Sequence, residues 1–338
     1  MGARGAELSV LQVGAGTIGR VHGDAWARLQ AERGGVRLLG IVDPDAEGAR
    51  LAAQLQVKYF ATWDDVPLAA VDVVDVASPT PTHRWYVEAA AAAGKHVFCE
   101  KPLALTLEDV DAMAKAAEQA GVHLAVGHVV RFFPAYRRAH DLIASGRMGA
   151  VVMARLYRGG AFPRGRHNWY ADRAQSGGPL LDLSLHDFDF LLWTFGPPVS
   201  VFAQEAGAGD PPLMYAAATV RFPSGLLAHV MGSWAGTQFS TRFEFAGPEG
   251  LLMHDSRQDQ PLLFTRRAGV EAVPAVAVPS AAEAANPWMR QLAAMVAAVA
   301  EDRPFDVGVA EARAAIQLAR AAVESAATGS VVPWAVGA

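Results

Sequence analysis

Apolar positions in the first third of the chain come as short runs separated by segments of helical period. Residues 8–13 form such a run and end in Gly14-Ala15-Gly16-Thr17-Ile18-Gly19. Helical sequence follows through residue 29, with Gly34-Gly35 as its stop signal. Strands are predicted over 36–42, ending on Asp43, and over 58–61, 71–77, 96–99 and 123–126. Helices are predicted over 46–55, 82–93 and 106–120, the last with Thr106 as cap, Asp109 three residues on and Gly121 at its end. Strands separated by one helix each pair in parallel through right-handed crossovers. The first part of the chain is therefore predicted to be α/β, a doubly wound Rossmann domain.

After residue 127 the rhythm changes. Strands are predicted over 150–157, 199–204, 215–222, 226–233 and 242–246, with turn signals at Pro223-Ser224-Gly225 and Gly247-Pro248-Glu249-Gly250. Strands joined by such turns pair antiparallel. Few helices intervene, so the second part is predicted to be α+β with a large, open, mostly antiparallel sheet. Stretches 206–212 and 268–287, rich in Gly, Ala and Pro, are expected to be loops. Helical patterns return at 288–300 and 309–327, and no internal repeat is visible. The expected division is 1–127 and 128–338, with the C-terminal helix able to pack back on the first domain. At about 100–200 residues per domain, the 338-residue length agrees.

Composition narrows the function. With 52% hydrophobic and 19% charged residues the chain can bury enough apolar surface to offset its ordering entropy, which excludes disorder as the dominant state. A net charge of −5 offers no basic field, so nucleic acid and anionic membranes are disfavoured as partners. The single cysteine, Cys99, excludes an intrachain disulfide and a cysteine-built zinc site and suits a reducing compartment. No secretory signal precedes the first glycines, and no segment reaches the roughly 20 apolar residues that span a bilayer. A soluble, cytoplasmic protein is expected.

Gly14, Gly16 and Gly19 form G-x-G-x-x-G, a weak signal alone in a chain with 32 glycines. Its context is specific: it follows an apolar strand, opens a helix at Thr17 and Ile18, and is followed by Asp43 at the end of the next strand. Gly14 permits the tight turn, Gly16 lets backbone approach a pyrophosphate, and Gly19 lets helix and strand pack. The helix N-terminus offers N–H groups and a positive dipole end to the phosphates. Asp43 would accept hydrogen bonds from ribose hydroxyls and repel a 2′-phosphate. With Pro44 and Asp45 next, rather than Arg, NAD is expected over NADP. A purely structural strand–helix turn is the competing reading.

From Gly94-Lys95-His96-Val97-Phe98-Cys99-Glu100-Lys101-Pro102 the chain resembles the glucose–fructose oxidoreductase / inositol dehydrogenase / rhizopine-catabolism (Gfo/Idh/MocA) family. Glu100-Lys101-Pro102 matches the family's E-K-P, and Pro79-Thr80-Pro81-Thr82-His83 its P-T-x-x-H pattern with one residue of latitude. The segment from Ser176-Gly177-Gly178-Pro179 through Asp182 to His186-Asp187 matches G-G-x-x-x-D-x-x-x-H. The resemblance implies that Lys101 contacts nicotinamide ribose and substrate hydroxyl, that Asp182 and His186 bind substrate and exchange its proton, and that Glu100 helps hold the ribose. It places Pro79 and Thr80 beside the nicotinamide, and His83 is carried with them as a cofactor candidate. Ser184 and Pro179 depart from the family, which often has Gly, or Gly or Ala, there.

The same residues make chemical sense. Asp182 and His186 are four apart, which on a helix sets them on one face. Histidine accepts a proton near neutral pH, and a neighbouring carboxylate orients it and raises its basicity. Lys101 would stabilise a developing alkoxide. His128 and Arg131, after the sixth strand, and Arg166, Trp169 and Tyr170, before the Asp182 segment, are candidates for substrate contact. The competing reading of the arginines there is solvated side chains paired with Asp172. Cys99 is expected to be inert packing, His22 to cap, lie on the surface or approach the cofactor, and no metal site is expected. The leading expectation is an NAD-dependent, metal-independent dehydrogenase acting on a secondary hydroxyl of a sugar, cyclitol or related polyol, as a homodimer or homotetramer through the C-terminal sheet. A cofactor-binding sensor without catalysis, or a redox-neutral or elimination reaction with tightly held cofactor, are the alternatives.

Overall fold

The computed structural model describes residues 7–209, 212–258, 262–266 and 286–335. In chain order the first elements are β1 (Leu8–Val13), α1 (Thr17–Arg33), β2 (Val36–Val42), α2 (Ala46–Leu55), β3 (Lys58–Phe60), β4 (Val73–Val76), α3 (His83–Ala92), β5 (His96–Glu100), α4 (Leu107–Ala120) and β6 (Leu124–Gly127). The strands form one parallel sheet in the order β3-β2-β1-β4-β5-β6. β1 and β4 are apolar along nearly their whole length because helices cover both faces of a parallel sheet. Chain order reverses between β1 and β4, and the crevice beyond their carboxyl ends is where such sheets take ligands. The Thr106 hydroxyl caps α4 by accepting the Asp109 N–H, as its spacing predicts.

The later elements are α5 (Pro134–Ala144), β7 (Met153–Gly159), α6 (Arg173–Ser176), α7 (Leu185–Phe195), β8 (Ser200–Ala208), β9 (Leu213–Arg221), β10 (Leu227–Ser233), β11 (Ser240–Gly247), β12 (Gly250–Asp255), β13 (Leu262–Arg266), α8 (Pro287–Ala300), α9 (Val309–Thr328) and β14 (Val332–Pro333). The second sheet runs β13-β12-β11-β7-β10-β9-β8-β14. Antiparallel pairing dominates, but β7 and β10 are parallel. No turn joins those two; the chain leaves β7 and returns to β10 only after α7 and two further strands. Residues 206–208, expected in a loop, extend β8, because pairing of Ala206 with Tyr215 and Ala208 with Leu213 overrides their weak strand preference. Most of the other expected loop, 267–285, lies outside the described residues. Its end starts a helix instead: Asn286 Oδ1 accepts the Trp288 N–H, and Pro287 sits at the first helical position, where its missing N–H costs nothing.

The chain separates into two compact units. One comprises the described residues of Met1–Val129, Gly165–His167 and Ala285–Arg313; the other those of Val130–Arg164, Asn168–Ala284 and Ala314–Ala338. The first unit is thus discontinuous in sequence. Within it α8 packs on α1, where Met289, Leu292 and Met295 join Trp26, Leu29 and Val10 in one apolar cluster. In the second unit the sheet buries one face: Ala216, Ala218 and Val220 are covered while Leu213 and Tyr215 are exposed. Phe190, Phe243 and Phe245 pack together on the covered side.

Candidate active site

The glycine turn is built by backbone necessity. Gly14 has φ +99°, and a Cβ there would sit 2.6 Å from the Ala77 carbonyl oxygen. A Cβ on Gly19 would collide with the Gly14 carbonyl, whereas Gly16 faces open space. Gly16 is the N-cap of α1, with no side-chain cap hydrogen bond. Gln12, fully buried in β1, holds the turn closed: its amide nitrogen donates to the Gly14 and Gly19 carbonyls at 2.8 and 2.7 Å. A polar residue directly following Val10-Leu11, two positions before the glycines, was the available signal for this role. The Gly16 opening at a helix N-terminus is a cradle that a side chain would fill, and it fits a dinucleotide pyrophosphate.

Asp43 follows β2 and is 5% exposed. Its Oδ2 accepts the Ala15 N–H at 2.8 Å and its Oδ1 the Asp45 N–H at 2.9 Å, so the carboxylate is fixed against the glycine turn. Arg166 arrives from far along the chain and donates to Asp43 Oδ1 at 2.9 Å, to Glu47 Oε2 at 3.1 Å and to Asp45. Arg166 is therefore committed to an acidic cluster on the first unit rather than presented as a substrate ligand. Its partners are not Asp172 either, whose carboxylate accepts from Ala174 N–H and the Gln175 amide. His167 and Asn168, next in the chain, both adopt left-handed backbone, with φ of 54° and 53°.

At the carboxyl end of β5 the structure reveals a buried charged chain. The His22 Nδ1 lies 3.0 Å from both Asp75 oxygens, and its Nε2 lies 3.1 Å from Glu100 Oε1. Trp26 Nε1–H donates to Asp75 Oδ2 at 2.6 Å, and the Lys101 N–H donates to Glu100 Oε2 at 3.1 Å. Burial opposes a charge on His22, but the charge and hydrogen bond of Asp75, aided by Glu100, overcome it and push the pKa up to about 10. Burial likewise opposes the Glu100 charge, yet His22, the Lys101 charge and the Lys101 N–H hold it below the usual carboxylate value. His22, expected at a cap, on the surface or near the cofactor, is internal and lies between two carboxylates. Cys99, fully buried beside Glu100, has its thiol pushed well above the ordinary value by burial and by the Glu100 and Asp75 charges.

His83 is also internal. Its Nδ1 faces the Pro102 carbonyl at 3.0 Å and its Nε2 the Ser78 carbonyl at 2.9 Å. Burial lowers its pKa below the ordinary value, against the pull of those carbonyls. The ring ties the segment after β4 to the segment after β5 and has no face left for a cofactor. Pro79 caps the short turn Thr80–Thr82, with Thr80 buried and Pro79 exposed just beyond the end of β4. His128 is buried directly after β6.

In the second unit, Asp182 and His186 do not share one regular helix. Asp182 lies in a π-helical turn, Pro179–Leu183, closed by the Ser184 N–H to Pro179 carbonyl bond at 2.8 Å, and His186 lies in the first turn of α7. Such wide turns are frequent at functional sites. Asp182 is buried and His186 half-buried. Ser184 is buried against β10, where a Cβ on Gly232 would collide with its hydroxyl oxygen. Helix α7 is anchored just after His186. Arg158 grips Asp187 through Nε and Nη2 at 3.2 and 3.0 Å, and Arg131 grips Asp189 at 2.9 and 2.6 Å. Arg131, a substrate candidate from the sequence, is thus spent on a buried ion pair, with its guanidinium over Trp193. Trp169 and Tyr170 stack on each other at 3.9 Å, and Tyr170 also meets Trp234 edge-on. Both are half-buried.

Among the described residues no group of three His, Cys, Asp or Glu side chains is arranged to hold a metal ion, and no helix is long and apolar enough to cross a membrane. Residues 8–128 match the sequence profile of an oxidoreductase family with an NAD-binding Rossmann fold, and residues 136–253 that of the GFO/IDH/MocA C-terminal domain. The chain is 38% identical over 188 residues to 1,5-anhydro-D-fructose reductase of Ensifer adhaerens, covering 54% of this chain and 56% of that protein. It is 35% identical over 196 residues to inositol 2-dehydrogenase of Rhizobium meliloti strain 1021, covering 57% of each. The matches thus span little more than half the length of these relatives. Among solved structures, GenD2 from gentamicin A biosynthesis in complex with NAD superimposes with a TM-score of 0.84 at 28% identity, over 99% of this chain and 98% of that one.

Proposed function

Because the chain belongs to the Gfo/Idh/MocA family of NAD-binding oxidoreductases, we propose that it is a metal-independent dehydrogenase of a sugar, cyclitol or related polyol, oxidising or reducing at a secondary hydroxyl carbon. The carrying observation is the open Gly16 cradle beside a fixed Asp43 carboxylate, in a chain that also holds Lys101, Asp182 and His186 in the family's motifs. The sugar and cyclitol relatives support the substrate class. Gly14, Gly16, Thr17, Ile18 and Gly19 would hold the pyrophosphate, Asp43 the adenosine ribose, and Pro79, Thr80 and Lys101 the nicotinamide end. NAD, when bound, supplies the hydride acceptor or donor. His186 takes the hydroxyl proton, Asp182 orients His186 and binds substrate, and Lys101 stabilises the alkoxide. Trp169 and Tyr170 offer an aromatic surface for a sugar-like ring, and His128 remains a candidate for its polar contacts. The three carboxylates around one Arg166 leave the ribose site negative, which favours NAD over NADP.

A panel of sugars and polyols with NAD and NADP, read as reduced-nicotinamide absorbance, tests the reading. Activity with NAD on a member of the panel is expected, and His186→Ala should lower turnover by about 10²–10⁴-fold while still binding NADH. Confirmed NADH binding with no turnover across the panel would overturn it in favour of a sensor. The exposed sheet face of the second unit, with a depression of about 190 Å³ lined by Phe202, Thr219, His229 and Met231, supports self-association as a homodimer or homotetramer. Sedimentation should show an oligomer that Met231→Asp dissociates; a monomeric wild type would refute this.

A further inference from the structure

We propose that His22 is the positioning residue of the Glu100-Lys101 pair, a buried imidazolium clamped between Asp75 and Glu100 that fixes the Glu100 carboxylate and, through it, the main chain of Lys101. The proposal rests on Lys101 being part of the dehydrogenase site. The family resemblance gives Glu100 a direct part in holding the nicotinamide ribose. The structure leaves it little capacity for that, because the residue is 4% exposed and both carboxylate oxygens are engaged inside the fold. One oxygen receives His22 and the other the Lys101 N–H. Gly127 on β6 makes room for this inward bend, since a Cβ there would sit 2.5 Å from Glu100 Oε1.

With both carboxylates ionised, the arrangement closes when the ring is a cation. Each nitrogen of His22 faces a carboxylate, and a neutral imidazole has one N–H only, so its lone pair would oppose the other carboxylate. The charged and titratable groups around it are Asp75 from β4, Glu100 and Cys99 from β5, Lys101 beyond it, and His83 from α3, which interacts with Glu100 electrostatically. The remaining contacts are Trp26, which donates to Asp75, and the edge-on ring of Phe98. Two buried carboxylates therefore depend on one internal cation. Removing it would leave burial to raise the Glu100 pKa without the His22 charge and hydrogen bond that oppose it.

Nitrogen-15 NMR of the histidine rings in the whole wild-type chain should show His22 doubly protonated from pH 6 to 9; a neutral ring at pH 7.5 would overturn the proposal. His22→Gln should cut kcat about 10–100-fold, as expected for misplacement of a reacting group by about 1 Å. NADH affinity, read by its own fluorescence, should change less than kcat. The variant should also gain a pH dependence absent from wild type, with kcat falling as pH rises from 6 to 8. His22→Gln/Glu100→Gln removes the Glu100 charge and retains an amide acceptor for the Lys101 N–H; it should abolish that new limb and guards against a variant that fails to fold. A pH profile of His22→Gln parallel to wild type would overturn the positioning role. If the dehydrogenase reading itself is wrong, no turnover is seen in wild type while the NMR and NADH-binding results still report on His22.

Discussion

Asp43 is the side chain on which the proposed preference for NAD turns. Its two oxygens already accept two main-chain N–H groups and Arg166, so it is a fixed, charged acceptor rather than a flexible one. Hydrogen bonds to a charged group contribute about 1.5–3 kcal/mol each. Asp43→Ala is therefore expected to weaken NAD binding about 10- to 100-fold by calorimetry and to narrow the difference between NAD and NADP. Unchanged NAD affinity would remove Asp43 from the ribose site. The glycine turn and its closure onto Asp43 were legible in the sequence because they follow from local spacing. The parts played by His22, His83, Arg131 and Arg166 were not. Each depends on a partner between 19 and 123 positions away, apart from the Ser78 carbonyl that His83 also meets, and no short pattern encodes such pairings.

Helix α7 carries two buried arginine–carboxylate pairs directly after His186, and this arrangement fixes the helix. Removing one partner of a buried pair strands the other charge and costs about 3–5 kcal/mol. Arg158→Met should thus lower the midpoint of thermal unfolding sharply, and Arg158→Met/Asp187→Leu should recover much of the loss. Equal destabilisation in both variants would show that packing of Arg158, not its charge, matters. The parallel half was readable because continuous apolar strands and single intervening helices leave one pairing scheme. In the second half, turn signals captured β9–β10 and the turn after β11, but β12 beyond that turn was not predicted, and the parallel β7–β10 contact joins strands separated by more than sixty residues. The π turn at Pro179–Leu183 was equally hidden: a spacing of four suggested one α-helical face, whereas the turn adds a residue to the loop of hydrogen bonding before α7 begins.

At the scale of the whole molecule, the buried cation couples folding to pH. His22 has a folded pKa of about 10 against an ordinary value of 6.5, so the folded chain keeps a proton that the unfolded chain loses between those values. The stabilisation from His22 is complete below pH 6.5 and disappears as pH rises through about 10. Glu100 works in the opposite sense: its pKa is depressed, so its contribution is present above the ordinary carboxylate range and is lost as pH falls through its folded value. Cys99 adds an alkaline loss of its own only above its ordinary value of 9.0. Between pH 7 and 9, therefore, His22 should dominate the difference between wild type and His22→Gln/Glu100→Gln. Urea unfolding over that range is expected to show wild-type stability declining relative to the variant by about 1 kcal/mol per pH unit. Parallel curves would mean that His22 binds no extra proton on folding, and the charged chain from Asp75 to Lys101 would then have to be neutral at its centre.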